Sequence, residues 1–495
     1  MTRRTAAAAL LAGAFAVLAA GCATLEAPFS AHLASGAPQV RDCAEWFRQL
    51  DARVEAAGTR DAQDARVAGF PYLRVSRLLA ALRPAALSSE IASRALADRM
   101  LGLDMQARRF EILNLPAGQV PDTEDALRRT GHCGRVLREI DFTAPQAREL
   151  LLQRAEVADD YRIASRVLGL YWLTRIPFAE GVRRQEEETR AAFRRAAAAD
   201  VPGLLRYAPE PGDPLPRESA ARLLKHAAEN PLGIPEPSET ELKALLAAYA
   251  PSFEVEVKAD YDRFGELRWL RNSDAPSVEG AALAVYAHAA WTRYEGRVLL
   301  QLVYTLWFPE RPAQSAGDAL AGKLDGITWR VTLAPDGEPL VYDAIHPCGC
   351  YHLFFPTPRA RARPGPDSLE EWMFSPQSLP RIADGERPLV RIASGTHYIE
   401  RVGVVHGTDS LARYELRPYD ELRSLLRYAG GRASAFGADG LVPGTERAER
   451  FVFWPMGIAS AGAMRQWGRH ATAFVGRRHF DDADLFEKRF VFDLR

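Results

Sequence analysis

The pattern of apolar and polar positions changes twice along the chain. From Ala6 to Ala20 every residue is apolar or glycine. From about residue 38 to 250 apolar residues return mostly at helical spacing, interrupted by prolines. Phe142-Thr-Ala-Pro145 predicts a helix start, with Thr143 as N-cap and Pro145 in the first turn. The apolar run that follows, including Leu150, Val157, Tyr161, Val167, Leu168, Tyr171 and Leu173, keeps helical spacing until Pro177. A second run from about Glu180 to Ala199 is rich in Arg and Glu and reads as a solvated helix face. Prolines 202, 209, 211, 214 and 216 then mark a loop. A short helix is expected over 218–230, and Ser238-Glu-Thr-Glu241 is a capping box for another that ends near Pro251.

Beyond Pro251 the period shortens to two. Phe253–Lys258 alternates as a half-buried strand does. Residues 281–293 and 297–308 are β-rich runs joined across Tyr294-Glu-Gly296, and the second is apolar on both faces, as a central strand is. Residues 327–333 and 340–345 flank Pro335-Asp-Gly337, a hairpin signal. Further strands are expected at 351–355, 397–405, 413–416 and 450–454, and no internal repeat is evident. The expected class is α+β, a helical N-terminal region followed by a mainly antiparallel β C-terminal domain. Its divisions are a leader at 1–21, a tether at 22–40, a helical region at 41–250 and a β-rich domain at 251–495.

The leader has a basic start at Arg3-Arg4 and an apolar run too short to span a bilayer. It ends in Leu18-Ala-Ala-Gly-Cys22, and this end resembles the lipobox of bacterial lipoproteins. The resemblance covers only about the first 22 residues. It implies cleavage before Cys22, acylation of that cysteine and attachment to a membrane through it. Ala23, rather than Asp, after the cysteine implies the outer membrane, facing the periplasm, by analogy with sorting in Gram-negative bacteria. The alternative is an ordinary secretory signal in which Cys22 is incidental. No later segment has 18 uninterrupted apolar residues.

Composition narrows the classes without choosing one. The chain has 495 residues, 47% hydrophobic and 26% charged, the mix of a folded protein of more than one ordinary domain. Lys+Arg 63 against Asp+Glu 64 leaves a net charge of -1, which gives no sign of a nucleic-acid partner. HExxH, P-loop and dinucleotide-binding glycine patterns are missing, and Ser460 lacks the first glycine of a nucleophile elbow. Standard metalloprotease, NTPase and Rossmann oxidoreductase chemistry is therefore unlikely on sequence grounds.

Cysteine usage fits an exported chain. Beyond Cys22, four cysteines allow three pairings. They divide along the chain into Cys43 with Cys133 and Cys348 with Cys350. A Cys43–Cys133 bridge would staple the helical region, with two buried thiols as the alternative. Cys133 itself sits in a turn-like Thr130-Gly-His-Cys-Gly134.

The candidate chemistry is concentrated in His346-Pro-Cys348-Gly-Cys350-Tyr-His352, where four ligand-type side chains recur two residues apart. Imidazole and thiolate together suit Zn or Cu. On a straight strand the outer two would lie about 20 Å apart at roughly 3.3 Å per residue, too far for one ion. Pro347 and Gly349 would have to fold the segment, or His397, His406, His470 or His479 would have to complete a site. Three readings stand side by side: a metal site, a reducible Cys348–Cys350 pair, and a structural bridge or buried thiols between hydrogen-bonded histidines. Two weaker features are His397 with Glu400, as an acid–base pair, and residues 464–482, read as a solvated Arg/His/Asp loop.

The resulting expectation is a membrane-anchored lipoprotein with a ligand- or metal-binding β domain. The alternatives are a non-catalytic envelope protein that holds a partner, and a thiol–disulfide or metal-dependent enzyme. The anchor has a direct check. Cys22→Ala should move the protein from the membrane fraction to the soluble envelope fraction, and continued membrane association would overturn the anchor.

Overall fold

The computed structural model describes residues 28–495 apart from Pro121, residues 199–202, Pro214, Asn272 and residues 407–411. The leader, Cys22 and the first part of the expected tether lie outside the described residues. The chain is already packed at helices α1 (Phe29–Leu33) and α2 (Pro38–Ala57), where buried His32 Nε2 lies 2.8 Å from Asp141 Oδ1.

A hairpin of β1 (Ala65–Val67) and β2 (Phe70–Val75) follows, then α3 (Arg77–Leu87), α4 (Glu90–Leu113), α5 (Thr123–Thr143) and α6 (Pro145–Arg154). Ser76, Ser89 and Asp122 cap three of these helices by accepting the N–H of Leu79, Ala92 and Glu124. Phe47, Leu50, Leu73, Leu96, Met100 and Leu137 share their core. Cys43 and Cys133 are bonded, joining α2 to α5. Cys133 sits within α5 rather than in a turn. Its glycine neighbour Gly134 is kept there by close packing, because a Cβ would stand 2.8 Å from Leu101 of α4.

The helix expected from Thr143 to Pro177 is three pieces. Thr143 Oγ1 donates to Ile140 O at 2.8 Å and closes α5, while Ala144 stands at the N-cap of α6. After Arg154 the chain runs non-helically to Tyr161 and resumes as α7 (Ile163–Leu168) and α8 (Tyr171–Ala198), with Pro177 inside α8. Tyr161 explains the break. It forms a β-bridge with Ile458, and its hydroxyl donates to Ala473 O at 2.8 Å and accepts from Ala473 N. Distant partners thus outweigh the local helical pattern.

The remainder is built on a sheet. In chain order come β3 (Leu204–Pro209), α9 (Arg217–Ala227), α10 (Glu239–Tyr249), β4 (Ser252–Glu256), β5 (Glu266–Trp269) and β6 (Pro276–Glu279). Then follow β7 (Ala284–Tyr294), β8 (Arg297–Arg311), β9 (Gly322–Leu333), β10 (Pro339–Ile345), β11 (Leu353–Pro356) and β12 (Ala360–Ala362). Farther along are β13 (Glu386–Ile392), β14 (Ile399–His406), β15 (Ala412–Pro418) and, among other short elements, a helix α11 (Arg450–Phe453). Ten strands among the described residues form one sheet in the order β11-β10-β9-β8-β7-β15-β3-β4-β13-β14. Three of its pairings, β7–β15, β15–β3 and β4–β13, are parallel and the others antiparallel. The expected hairpins and the Ser238–Glu241 capping box are formed.

Three details differ from expectation. Strand β3, from a stretch read as a proline loop, lies between β15 and β4 and so carries the sheet across the expected boundary near 250. Strand β4 is buried on both faces, because Phe253 and Val255 pack in the core while Glu254 pairs with Arg206 and Arg391. Residues 450–453 are helical, their turn closed by Phe453 N donating to Glu449 O at 2.9 Å.

Helical and sheet regions share buried polar contacts. Arg423 Nε reaches Asp61 Oδ2 at 2.8 Å, and Asn114 donates to Arg423 O. The mixed α+β class is thus realised with the two parts packed on each other. The staple is tested by replacing Cys43 and Cys133 together with Ser. On the chain-entropy model this should lower the unfolding free energy by about 4 kcal/mol in a denaturant titration, and an unchanged midpoint would show that the bridge contributes nothing.

Candidate functional site

Near the start of strand β9, Leu324 has φ 53, and the next residue, Asp325, lies in the interior with no exposure. Asp325 Oδ1 lies 3.0 Å from His346 Nδ1, and Oδ2 lies 2.9 Å from His397 Nδ1. Arg447 Nη2 stands 3.6 Å from the same carboxylate. Burial alone would raise Asp325, but His346, Arg447 and His397 hold it well below the usual carboxylate range. His397 stacks flat on Phe308 at 3.9 Å, and its Nε2 faces Asp262 at 3.5 Å. Burial opposes the charge on His397, yet Asp262 and Asp325 outweigh it and raise its pKa. Burial prevails at His346, which is lowered despite Asp325.

His346 begins the turn that the sequence singled out. Gly349 N donates to His346 O at 2.7 Å, and His346 N donates to Cys350 O at 3.0 Å. Gly349 has φ 93, and a Cβ there would stand 2.4 Å from Ala471 O, so only glycine fits without movement. Arg465 clamps the outside, its N–H donating to Pro347 O and its Nε to Cys348 O at 3.1 Å. The turn brings the two sulfurs together. Cys350 N donates to Cys348 Sγ at 3.4 Å, and both cysteines are unbridged. The hydrogen bond from the Cys350 thiol pulls Cys348 below its ordinary value against burial, with Arg447 assisting. The same bond, together with burial, pushes Cys350 well up. Of the two thiols, Cys348 is therefore the one that gives up its proton more readily.

The four residues proposed as ligands do not converge. His352 leaves the turn and pairs through Nε2 with Asp343 at 2.8 Å, a carboxylate that also takes both arms of Arg330. His346 is committed to Asp325, and His406 is exposed on β14 beside Glu386. Among the described residues no group of three or more His, Cys, Asp or Glu side chains is placed to hold a metal ion. His346 and His352 thus stand as two buried histidine–aspartate pairs flanking a dithiol turn. His397 pairs with Asp325 and Asp262 and not with Glu400, on which Glu256, Arg195, Arg391 and Lys258 act.

A cleft of about 430 Å³ separates the turn from α8. Phe178, Val182, Phe374, Phe453, Ile458 and Phe474 give it apolar walls, and Cys348 and Cys350 lie among its lining residues. Residues 464–482, expected as a solvated loop, are largely buried and form one wall. Arg478 there is satisfied by Thr472 Oγ1, Thr472 O and Trp372 O rather than by water. Three carboxyls line the space: Glu186, Glu371 and Glu449. Burial raises all three, Glu449 to about 7. Glu449 is 4% exposed and lies over Gly462, where a Cβ would meet Oε1 at 1.9 Å. Arg447, Arg311, Asp325 and Asp318 act on it, and Cys348 and Cys350 share the cleft.

Next to the cleft-lining Pro177, Phe178 and Phe453 in the chain stand exposed apolar side chains. Ile163, Val167 and Leu168 of α7, Trp172, Leu173 and Ile176 of α8, and Phe451 and Trp454 face solvent, with Leu168 76% and Trp172 68% exposed. Arg166 ties α7 to the 454–457 segment by donating to Met456 O at 2.8 Å. Phe178 and Phe453, both in the cleft wall, meet edge to face at 5.5 Å. Sequence reasoning missed Asp325, Arg447 and Glu449, which carry no local motif, and took the stripe of α7 and α8 for part of one long helix. Among the described residues no helix is long and apolar enough to cross a membrane. The chain matches no protein-family model, no curated protein and no solved structure.

Glu449 makes stability depend on pH. A carboxyl with a raised folded pKa holds its proton more tightly when folded, so its ionisation disfavours folding. The penalty is absent below about pH 4.5 and complete above about pH 7, where it amounts to about 3 kcal/mol. Glu449→Gln should therefore raise the unfolding free energy at pH 8.5 by up to about 3 kcal/mol and change it little at pH 4. Denaturant titrations showing the same change at both pH values would contradict this assignment.

Proposed function

We propose that the chain is an exported lipoprotein, held through Cys22 to the outer membrane and facing the periplasm. Its folded body binds a mainly apolar ligand, drawn from the bilayer, in the cleft beside Cys348. The observation that carries this reading is the rim of exposed apolar side chains on α7, α8 and α11 that adjoin the cleft-lining Pro177, Phe178 and Phe453. Contiguous exposed apolar surface marks a site of contact with another apolar phase. Trp172, Leu168 and Phe451 are side-chain types that sit at a lipid–water interface. A tether through Cys22 would keep the body near the bilayer, so a modest contact area suffices to hold the rim against it.

The lining selects among ligands. Glu186, Glu371 and Glu449 disfavour an anion, and Arg478 is occupied by Thr472 and Trp372. A neutral or cationic molecule with an apolar body satisfies both walls and carboxyls. This is a binding function, and it needs no chemistry.

The test uses residues 23–495, without leader and anchor, and vesicles of phosphatidylethanolamine and phosphatidylglycerol. The protein should float with the vesicles, and Leu168→Asp with Trp172→Asp should weaken that binding at least about tenfold. Neutral phenylnaphthylamine should brighten on entering the cleft, and Gly181→Trp should abolish the signal. A Cβ at Gly181 meets nothing within 4 Å, so this substitution fills space without a clash at its base. Flotation unaffected by the rim substitutions, or dye binding unaffected by Gly181→Trp, would overturn the proposal.

A further inference from the structure

We propose that Cys348 and Cys350 form a dithiol–disulfide couple that reduces a small apolar disulfide held in the cleft, with Glu449 accepting the Cys350 proton. The inference rests on the cleft being a ligand site and adds a reaction to it. Three observations carry it. The turn closed by His346 and Gly349 aims the Cys350 N–H at Cys348 Sγ, so the sulfurs are already neighbours across one intervening residue. Both cysteines and Glu449 line one cleft. The two thiols are inequivalent: Cys348 is pulled below its ordinary value and Cys350 is pushed well above it.

This inequivalence is what exchange chemistry needs. The thiolate is the attacking species, and its partner must keep its proton until the first step is over. Cys348 thiolate attacks one sulfur of R–S–S–R′. That bond breaks, Cys348–S–S–R forms, and R′–S⁻ departs to take a proton from solvent. Cys350 then gives its proton to the Glu449 carboxylate and attacks Cys348 Sγ. The Cys348–Cys350 bond forms and R–S⁻ leaves, taking the proton from Glu449. Two thiol sulfurs are oxidised, and the substrate disulfide gains the two electrons.

A disulfide across one residue closes a small, strained ring, and strained bridges are readily reduced. The oxidised couple thus readily accepts two electrons from a second dithiol, and its formation requires a substrate disulfide at least as oxidising as the strained bridge itself. Glu449 is placed for its part by Gly462, whose bare Cα leaves room for the carboxyl, and by the burial that keeps it basic enough to take a proton near neutrality.

The test uses the full chain carrying Cys22→Ala, in detergent, with dipyridyl disulfide as the neutral probe. Cys43 and Cys133 are bridged, so Cys348 and Cys350 are the reacting thiols. One probe molecule should be consumed, two thiopyridones released, and no label retained by mass spectrometry. Cys350→Ser should release one thiopyridone and retain one label on Cys348. Glu449→Gln should slow the second release about tenfold or more with the first little changed. Two labels retained on the parent, or no reaction without denaturant, would overturn the couple. Phenylnaphthylamine binding measured on the same sample separates the two ideas. Dye binding without exchange refutes the redox couple alone, whereas loss of both refutes the cleft as a ligand site as well.

Discussion

A carboxylate removed wholly from water must be met by charge or hydrogen bonds from its surroundings, and Asp325 sets that requirement at the centre of this molecule. It is met by residues far apart in the chain: His346 after β10, His397 before β14, and Arg447 before α11. Each partner then positions something else. His346 is the first residue of the dithiol turn. His397 extends the arrangement to Asp262, which also accepts from Ser394 and Gly395. Arg447 stands beside Cys348 and Glu449 and tunes both. Removing the Asp325 carboxylate would leave these three groups without their common partner, so the thiol site is coupled to a buried polar cluster rather than to a surface loop.

The cleft is made in a different way. One wall is the turn, which belongs to the sheet; the facing wall is α8, which belongs to the helical part. They meet because the chain stops being helical after Arg154 and Tyr161 inserts among the backbone groups of residues 458–478. The same interruption leaves the apolar side of α7 and the start of α8 outside the core. A local sacrifice of helix therefore produces both the ligand space and the exposed apolar rim.

Much of the fold was legible because its signals are local. The capping box at Ser238, the hairpins at 295–296 and 335–337, and the doubly apolar strand β8 all appear where the pattern places them. The Cys43–Cys133 bridge was legible from the division of the cysteines along the chain, although Cys133 was misplaced in a turn. Strand β3 was not legible, since prolines dominate its neighbourhood and its pairing with β15 and β4 lies elsewhere in the chain. At the site, Cys348 and Cys350 were visible as a pair, and the folding of Pro347-Cys-Gly349 was foreseen as a condition. The aspartate partners of the two histidines were not legible. Spacing shows which side chains are near along a strand, but not that Asp325 and Asp343 have already claimed the two imidazoles.

By itself the sequence determined the kinds of element, the α+β class and the one segment where thiols and imidazoles gather, and it set Cys43 apart with Cys133 while leaving two buried thiols as the alternative. These follow from interactions over a few residues, or from the scarcity of cysteine. Only the tertiary structure decided what that segment is. It set the sulfurs side by side, assigned each histidine to a buried carboxylate, brought Glu449 from about a hundred residues away and opened the space before them. The reason is physical: proton affinity and ligand geometry depend on burial and on charges a few ångströms distant, and those neighbours are chosen by packing, not by position along the chain.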